Sequence, residues 1–229
     1  MKSLRELGLL SQDTVTAQYM LGSRHLTWAG VYSSSVDVCV IAQSALRELH
    51  HATQETISLY LLEGNERVCV ERLESPQNVR IIARLGRRLP LYAGSAGKVF
   101  LAFMPSNRRE QILDSVPMIK LTANTIDDRS ILYRELDRIR SQGYATSTGE
   151  WILEASGVAA PVFHASGEIA AVVTISGPSQ RFTPGRMAEY AVMVTRVAAQ
   201  VSVDLGFRSE HRFLKLSVAQ DADRLRVAD

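Results

Sequence analysis

Arg88-Leu89-Pro90-Leu91-Tyr92-Ala93-Gly94-Ser95-Ala96-Gly97-Lys98-Val99-Phe100-Leu101-Ala102 is a glycine-punctuated loop that runs into an apolar helical pattern. Glycines at 94 and 97 let backbone approach another group closely. The first turn of the following helix offers unpaired N–H groups and a partial positive charge, so the stretch describes a site for a small anion. The same residues also suit a plain turn ahead of a core helix, and the stretch alone leaves both readings open. A nucleotide-binding P-loop is excluded. That motif needs a glycine five residues before the Gly-Lys pair and a Ser or Thr after it, where Tyr92 and Val99 stand.

Working outward, two β-rich runs, Ile57 to Leu62 and Arg67 to Leu73, flank the hairpin signal Glu63-Gly64-Asn65-Glu66. A third short run, Val79 to Ala83, follows. Beyond the loop, the helix ends before Pro105 and Ser106 opens a second helical stretch toward Leu113. A longer helix through Ile131, Leu132, Leu136 and Ile139 has the acidic pair Asp127-Asp128 at its start and Gly143 at its end. Strands are expected over Tyr144 to Thr148, Gly157 to Phe163 and Ile169 to Ser176, the last two joined by the turn His164-Ala165-Ser166-Gly167-Glu168. Thr183-Pro184 then starts a final helix, with Met187, Tyr190, Ala191, Val194, Val197, Ala198 and Val201 on its apolar face. This order predicts an α+β domain over residues 57–206, a mainly antiparallel sheet flanked by helices. The strand Ile169 to Ser176 is apolar on both faces at first, so both faces are covered, yet one face ends in the hydroxyls of Thr174 and Ser176. Two such hydroxyls suit a pocket floor that receives a carboxylate or carbonyl without burying a fixed charge. They equally suit turn residues that satisfy backbone before Gly177-Pro178.

The front of the chain is too small for a core of its own. Leu4 and Leu7 lie on a short helical pattern ended by Gly8, and Leu9 to Gly22 reads as a hairpin with Ser11-Gln12-Asp13-Thr14 in its turn. Ser23 caps a helix through Leu26, Ala29 and Gly30; after Ser33-Ser34-Ser35 a longer amphipathic helix runs to about Gln54, so that two connector helices span 23–56. Residues 207–229 read as a charged tail. With 46% hydrophobic and 22% charged residues in 229, disorder is excluded, and a net charge of +2 implies no global attraction to nucleic acid or membrane. No signal-peptide plan and no bilayer-length apolar run is present, which points to the cytoplasm. Cys39 and Cys69 read as small buried hydrophobes, His25, His164 and His211 as surface residues, and the adjacent His50 and His51, about 100° apart on a helix, as a poor metal pair. Neither paired-cysteine spacing nor a serine-nucleophile elbow occurs, so no metal, cofactor or catalytic set is expected.

Taken together, Gly86-Arg87-Arg88-Leu89-Pro90-Leu91-Tyr92-Ala93 with Gly97-Lys98, Gly143-Tyr144-Ala145, Ala159-Ala160-Pro161-Val162-Phe163 and Thr174-Ile175-Ser176-Gly177-Pro178 resemble the effector-binding domain of the IclR family of bacterial transcription regulators. The front end resembles that family too. Leu4-Arg5-Glu6-Leu7-Gly8-Leu9-Leu10 and Tyr19-Met20-Leu21-Gly22 are similar to the end of the recognition helix and the wing of its winged helix-turn-helix, over residues 1–22. The resemblance implies a GAF-like effector domain, and places ligand contacts at Ser95, Ala96, Gly97, Ser147, Gly157, Thr174 and Ser176. Relatives often carry an acidic group or cysteine where Ser147 and Gly157 stand, Asp where His164 stands and Gly where Glu154 stands. Gly157 leaves room, and Trp151 is placed as a lid, so a bulky or aromatic acid suits the pattern as well as a two-carbon one.

The function the resemblance implies is a regulator that senses a small organic acid, with no catalysis, and associates into a homodimer or homotetramer. Leu26, Trp28 and Val31 on the connector are the apolar residues expected to carry that association. The alternative is a stand-alone small-molecule sensor or enzyme on the same sheet. Operator DNA is a partner only where the first helices of the winged domain are present. Lys2 and Arg5 alone supply phosphate contacts and no base readout. The 229 residues are therefore expected to bind DNA in a salt-sensitive, non-specific way, and an upstream extension to restore operator recognition. Footprinting checks this: sequence-specific protection by the 229-residue form would contradict it.

Overall fold

The computed structural model describes residues 2–14, 16–82 and 84–207, with side chains for all of these except Lys2 and 25–37. The chain divides into two compact units, Met1–Val40 and Ile41–Asp229. In the first, α1 (Lys2–Glu6) leads through Gly8 into a hairpin of β1 (Leu10–Gln12) and β2 (Tyr19–Leu21), registered with Leu10 opposite Leu21. The sequence pattern put Ser11 and Gln12 in the turn, but they belong to the strand. The Oδ1 atom of Asp13 accepts the Thr16 N–H at 2.8 Å, so the loop closes only from residue 13 onward.

Helix α2 (Arg24–Thr53) runs unbroken for 30 residues and crosses the boundary between the units. The two connector helices expected from the sequence are thus one. Serine costs a helix interior only about 0.5 kcal/mol relative to alanine, too little for Ser33-Ser34-Ser35 to interrupt it. The side chains of Leu26, Trp28 and Val31, like Lys2, Ala83 and residues 208–229, lie outside the described residues.

The second unit is built on one sheet. Its strands are β3 (Thr56–Glu63), β4 (Glu66–Leu73), β5 (Arg88–Pro90), β6 (Ala145–Thr148), β7 (Ala155–Phe163) and β8 (Ile169–Pro178). They lie in the order β5-β4-β3-β8-β7-β6, and every neighbouring pair is antiparallel. The central position of β8 explains its two apolar faces. On one face Tyr60, Cys69, Ala159 and Val172 pack with Val99 and Phe100 of α3 (Ser95–Phe103) and with Leu132, Leu136 and Ile139 of α5 (Arg129–Gln142). The alternate residues Ile57, Leu59, Val158, Ala160, Val173 and Ile175 are buried on the other face, where α6 (Pro184–Asp204) packs on β7 and β8 through Tyr190, Ala191, Val194, Ala198 and Val201. Met187 and Val197, expected on that apolar face, are half-buried. Burial pushes the Cys69 thiol up to about 11, as expected of a cysteine that serves only as a core residue. A further helix, α4 (Ser106–Ser115), follows α3.

Helix ends follow the sequence. Asp128 caps α5 by accepting the Ile131 N–H, Gly143 ends it with φ 84°, and Thr183 caps α6 ahead of Pro184. The run from Val79 is the exception. Residues 79–82 form a loop, because the edge beside β4 is taken by β5, where Pro90 closes a short edge strand as proline can. The loop is tied down instead by Arg181, whose Nη1 donates to the Val79 carbonyl at 2.9 Å while its Nε and Nη2 grip buried Glu55 at 2.5 and 2.7 Å. Gly177 lies against this pair: a Cβ there would stand 2.5 Å from the Glu55 Oε2 atom and 2.6 Å from the Phe182 ring. Neither group can yield, one being ion-paired and the other buried. Gly177→Ala should therefore cost about 1–3 kcal/mol in a denaturant titration, and an unchanged midpoint would contradict this packing.

Candidate functional site

The register of the sheet brings the small polar positions into rows. Ser147 stands opposite Gly157, and Gly157 opposite Ser176; one step along, Ala159 stands opposite Thr174. All of them face the side covered by α3. Gly157 matters by volume. A Cβ there would lie 3.1 Å from the Ser95 Oγ and 3.8 Å from the Ser147 Oγ, so the bare backbone leaves room between the first residue of α3 and the sheet.

Six of the positions predicted from sequence, Ser95, Ala96, Ser147, Gly157, Thr174 and Ser176, line a single cavity of about 90 Å³. At about 30 Å³ per water, that volume holds roughly three water-sized groups. Tyr60, Arg67 and Leu89 line its buried part, while Ile81, Ile82, Arg87, Trp151 and Ile152 line the more exposed part. The Arg87 guanidinium lies over the Trp151 ring at 5.4 Å, so the residue expected as a lid is clasped from the opposite wall. Thr174 is 5% exposed and its hydroxyl has no partner among the described residues, whereas the Ser176 hydroxyl donates to the Thr56 carbonyl at 3.5 Å.

Gly97 lies behind the wall and not on it. A Cβ at 97 would stand 2.3 Å from the Leu91 carbonyl oxygen and 2.5 Å from the Arg67 Nη1, so this glycine admits protein groups. Gly94, at φ 84°, lines the cavity in its place. The positive end of α3 also has an occupant of its own. The Glu150 carboxylate accepts the Gly94 N–H at 2.8 Å and the Lys98 ammonium at 2.5 Å. Lys98 is 1% exposed and completes its three bonds with the Thr146 carbonyl at 2.9 Å and Glu135 at 3.2 Å. The turn carrying Glu150 is fixed in turn by Thr125, whose hydroxyl donates to the Glu150 carbonyl at 2.7 Å, and by Thr122, which donates to the Gly149 carbonyl. The remaining N–H groups of the first helical turn, at Ser95 and Ala96, have no intrahelical acceptor and border the cavity.

The other residues singled out from the sequence lie elsewhere. Arg5, in the first unit, donates to the Gln12 side chain at 2.7 Å, and the Lys2 side chain is not described. Among the described residues no group of three metal-ligating side chains comes together.

Residues 30–203 match the family model for the bacterial transcriptional regulator IclR C-terminal domain. The chain belongs to the IclR family of transcription regulators. It is 33% identical over 205 residues to the HTH-type transcriptional regulator KipR of Bacillus subtilis strain 168, spanning 90% of this chain and 82% of that one. To the HTH-type transcriptional regulator KdgR of Escherichia coli K12 it is 32% identical over 207 residues, 90% of this chain and 79% of that one. Among solved structures, the Thermotoga maritima IclR superposes with a TM-score of 0.73 at 30% identity, covering 90% of this chain and 83% of its own. Every cavity residue falls inside the matched IclR segment, and the α+β architecture with its antiparallel sheet is the one these structures share.

Sequence reading missed Glu150, the pairing of Lys98, Tyr60 and Arg67. Only Arg67 left a local signal: it precedes Cys69 by two residues in a β run, so a charge shares a face with a buried thiol. Burial also pushes the Tyr60 hydroxyl up to about 12, against the pull of Arg67, so it stays protonated at neutral pH. For Glu135, burial acts upward, but hydrogen bonds from Arg138 and Lys98 outweigh it and hold the carboxyl below its ordinary value. Its contribution to stability is present above the ordinary glutamate range and lost as pH falls through the lowered value. Removing one member of the buried pair by Glu150→Gln should cost about 3–5 kcal/mol, most of it recovered when Lys98→Met is added. Urea titration of the single and double variants checks this; a Glu150→Gln protein as stable as the parent would contradict it.

Proposed function

We propose that the cavity is the effector site of this IclR-family regulator and that its effector is a small organic acid. The observation that carries the reading is the convergence of four separate elements, α3, β6, β7 and β8, on one small cavity edged by helix N–H groups and by the hydroxyls of Ser95, Ser147, Thr174 and Ser176. Membership in a family of transcription regulators is what supports binding without turnover. The cavity volume favours an acid of few carbons. Binding would shift the regulator between arrangements of its DNA-binding segment, in which Lys2 and Arg5 contribute phosphate contacts. A coupling of about 1–3 kcal/mol is what such an equilibrium carries. A homodimer or homotetramer acting in the cytoplasm completes the proposal. Among the described residues no helix is long and apolar enough to cross a membrane.

Calorimetric titration with aliphatic and aromatic acids tests the site. The double variant Thr174→Val, Ser176→Ala nearly preserves shape, and each lost bond to a charged ligand is worth about 1.5–3 kcal/mol, so affinity should fall by roughly tenfold or more while the ligand-free melting temperature moves little. Gly157→Leu should exclude the ligand by volume, since a side chain there fills the space beside Ser95 and Ser147. Unchanged affinity in both variants would place the effector elsewhere.

A further inference from the structure

Among the described residues, Arg67 is the charged side chain deep in the cavity with which no carboxylate forms an ion pair. It sits on β4 opposite Leu62 of β3 and Leu89 of β5, only 4% exposed, on the face that carries Cys69. Its Nη1 donates to the Pro90 carbonyl, and its guanidinium lies 5.7 Å from the centre of the Tyr60 ring. Nε has no partner, and among the described residues no carboxylate forms an ion pair with it. A guanidinium has five donors, so most of its capacity is unspent. The carboxylate that attracts it is Glu150, whose oxygens are already committed to Lys98 and the Gly94 N–H. Glu63 and Glu66 face Arg88 on the exposed side. The other charged group on the cavity wall is Arg87, a second cation, and the first turn of α3 adds positive potential of its own. Burial presses the Arg67 pKa below its ordinary value, although a guanidinium remains charged throughout the physiological range. Left without an anion, such a buried cation is costly, and a ligand that supplies one recovers that cost on binding.

We propose that Arg67 is the counter-ion of the effector: its guanidinium takes the ligand's carboxylate and sets this chain's preference for an acid over a neutral molecule of the same shape. The proposal rests on the reading of the cavity as the effector site. It assigns the ends of the ligand. The carboxylate lies toward Arg67 and the first turn of α3, and the remainder of the molecule extends over Gly157 toward the hydroxyls of Thr174 and Ser176. Planar guanidinium and planar carboxylate match as a fork, which a lysine at 67 would not reproduce.

The test compares small carboxylic acids, acetate, lactate and benzoate among them, each with its primary amide, using the melting temperature of the full chain and then calorimetry. With the parent, acids should raise the melting temperature and bind roughly tenfold or more tighter than their amides. In Arg67→Met that preference should collapse, with acid affinity falling and amide affinity unchanged, while the ligand-free protein is no less stable because an uncompensated charge has gone. Arg67→Lys, which keeps the charge and tests the fork, should lose most of the acid preference as well, and it answers the question if the methionine variant does not fold. An acid preference that survives in either folded variant would overturn the assignment of Arg67 and leave the effector site standing. Sodium chloride that stabilises the parent as much as the acids do would overturn the assignment to a carboxylate. A parent that responds to none of the acids would overturn both this proposal and the reading on which it rests.

Discussion

The burial of the Lys98 ammonium is the constraint on which the site depends. A cation taken out of water must be surrounded by acceptors, and here they come from three places: Glu135 on α5, the Thr146 carbonyl on β6 and Glu150 in the turn after β6. Satisfying one side chain thereby fixes α3 against its neighbours. Glu150 goes further by also accepting the Gly94 N–H, so the anion at the start of α3 is the protein's own. For the acid proposed as effector, the outermost donor of that helix is already used, and the acid's charge would be met by the next N–H groups and Arg67. The two ionic arrangements are complementary, one closed within the fold and one left open in the cavity.

A second link joins the cavity to the long helix. Glu55 follows α2 by two residues, and its bidentate partner Arg181 also holds the Val79 carbonyl at the start of the loop whose Ile81 and Ile82 line the cavity. A ligand that repositions that loop therefore acts on an ion pair set at the end of α2. In a regulator of this family such a contact is a physical place for binding energy to be felt, provided the pair has two arrangements that the ligand distinguishes.

Much of the architecture was legible because its signals were local and chemically forced. The two-faced apolar run Ile169 to Ser176 identified a central strand, Thr183-Pro184 the start of α6, and Asp128 with Gly143 the two ends of α5. The errors occurred where local signals were weak or where a partner decided. Ser33-Ser34-Ser35 resembles a break, yet serine is only mildly unfavourable in a helix. Residues 79–82 have strand composition and no edge to pair with, whereas Arg88–Pro90 has poor composition and an open edge. For the site, six polar and small positions were found through family resemblance, and their rows follow from strand register. The ionic groups were not found. Glu150 reaches Gly94 across 56 residues and Lys98 across 52, and no periodicity encodes a contact of that separation. Gly97, a ligand contact in the family pattern, makes way here for Leu91 and Arg67; a sequence states that space is needed without saying for what.

If an acid binds in the cavity with its charged end toward α3 and Arg67, a crystal structure of the chain with the tightest-binding acid tests it most directly. Ligand density is then expected between Ser95, Gly157 and Thr174, with a carboxylate oxygen within hydrogen-bond distance of the Arg67 guanidinium and of a first-turn N–H of α3. Density for the acid outside this cavity, or inside it with the carboxylate turned toward the Trp151 side and away from Arg67, would contradict this orientation.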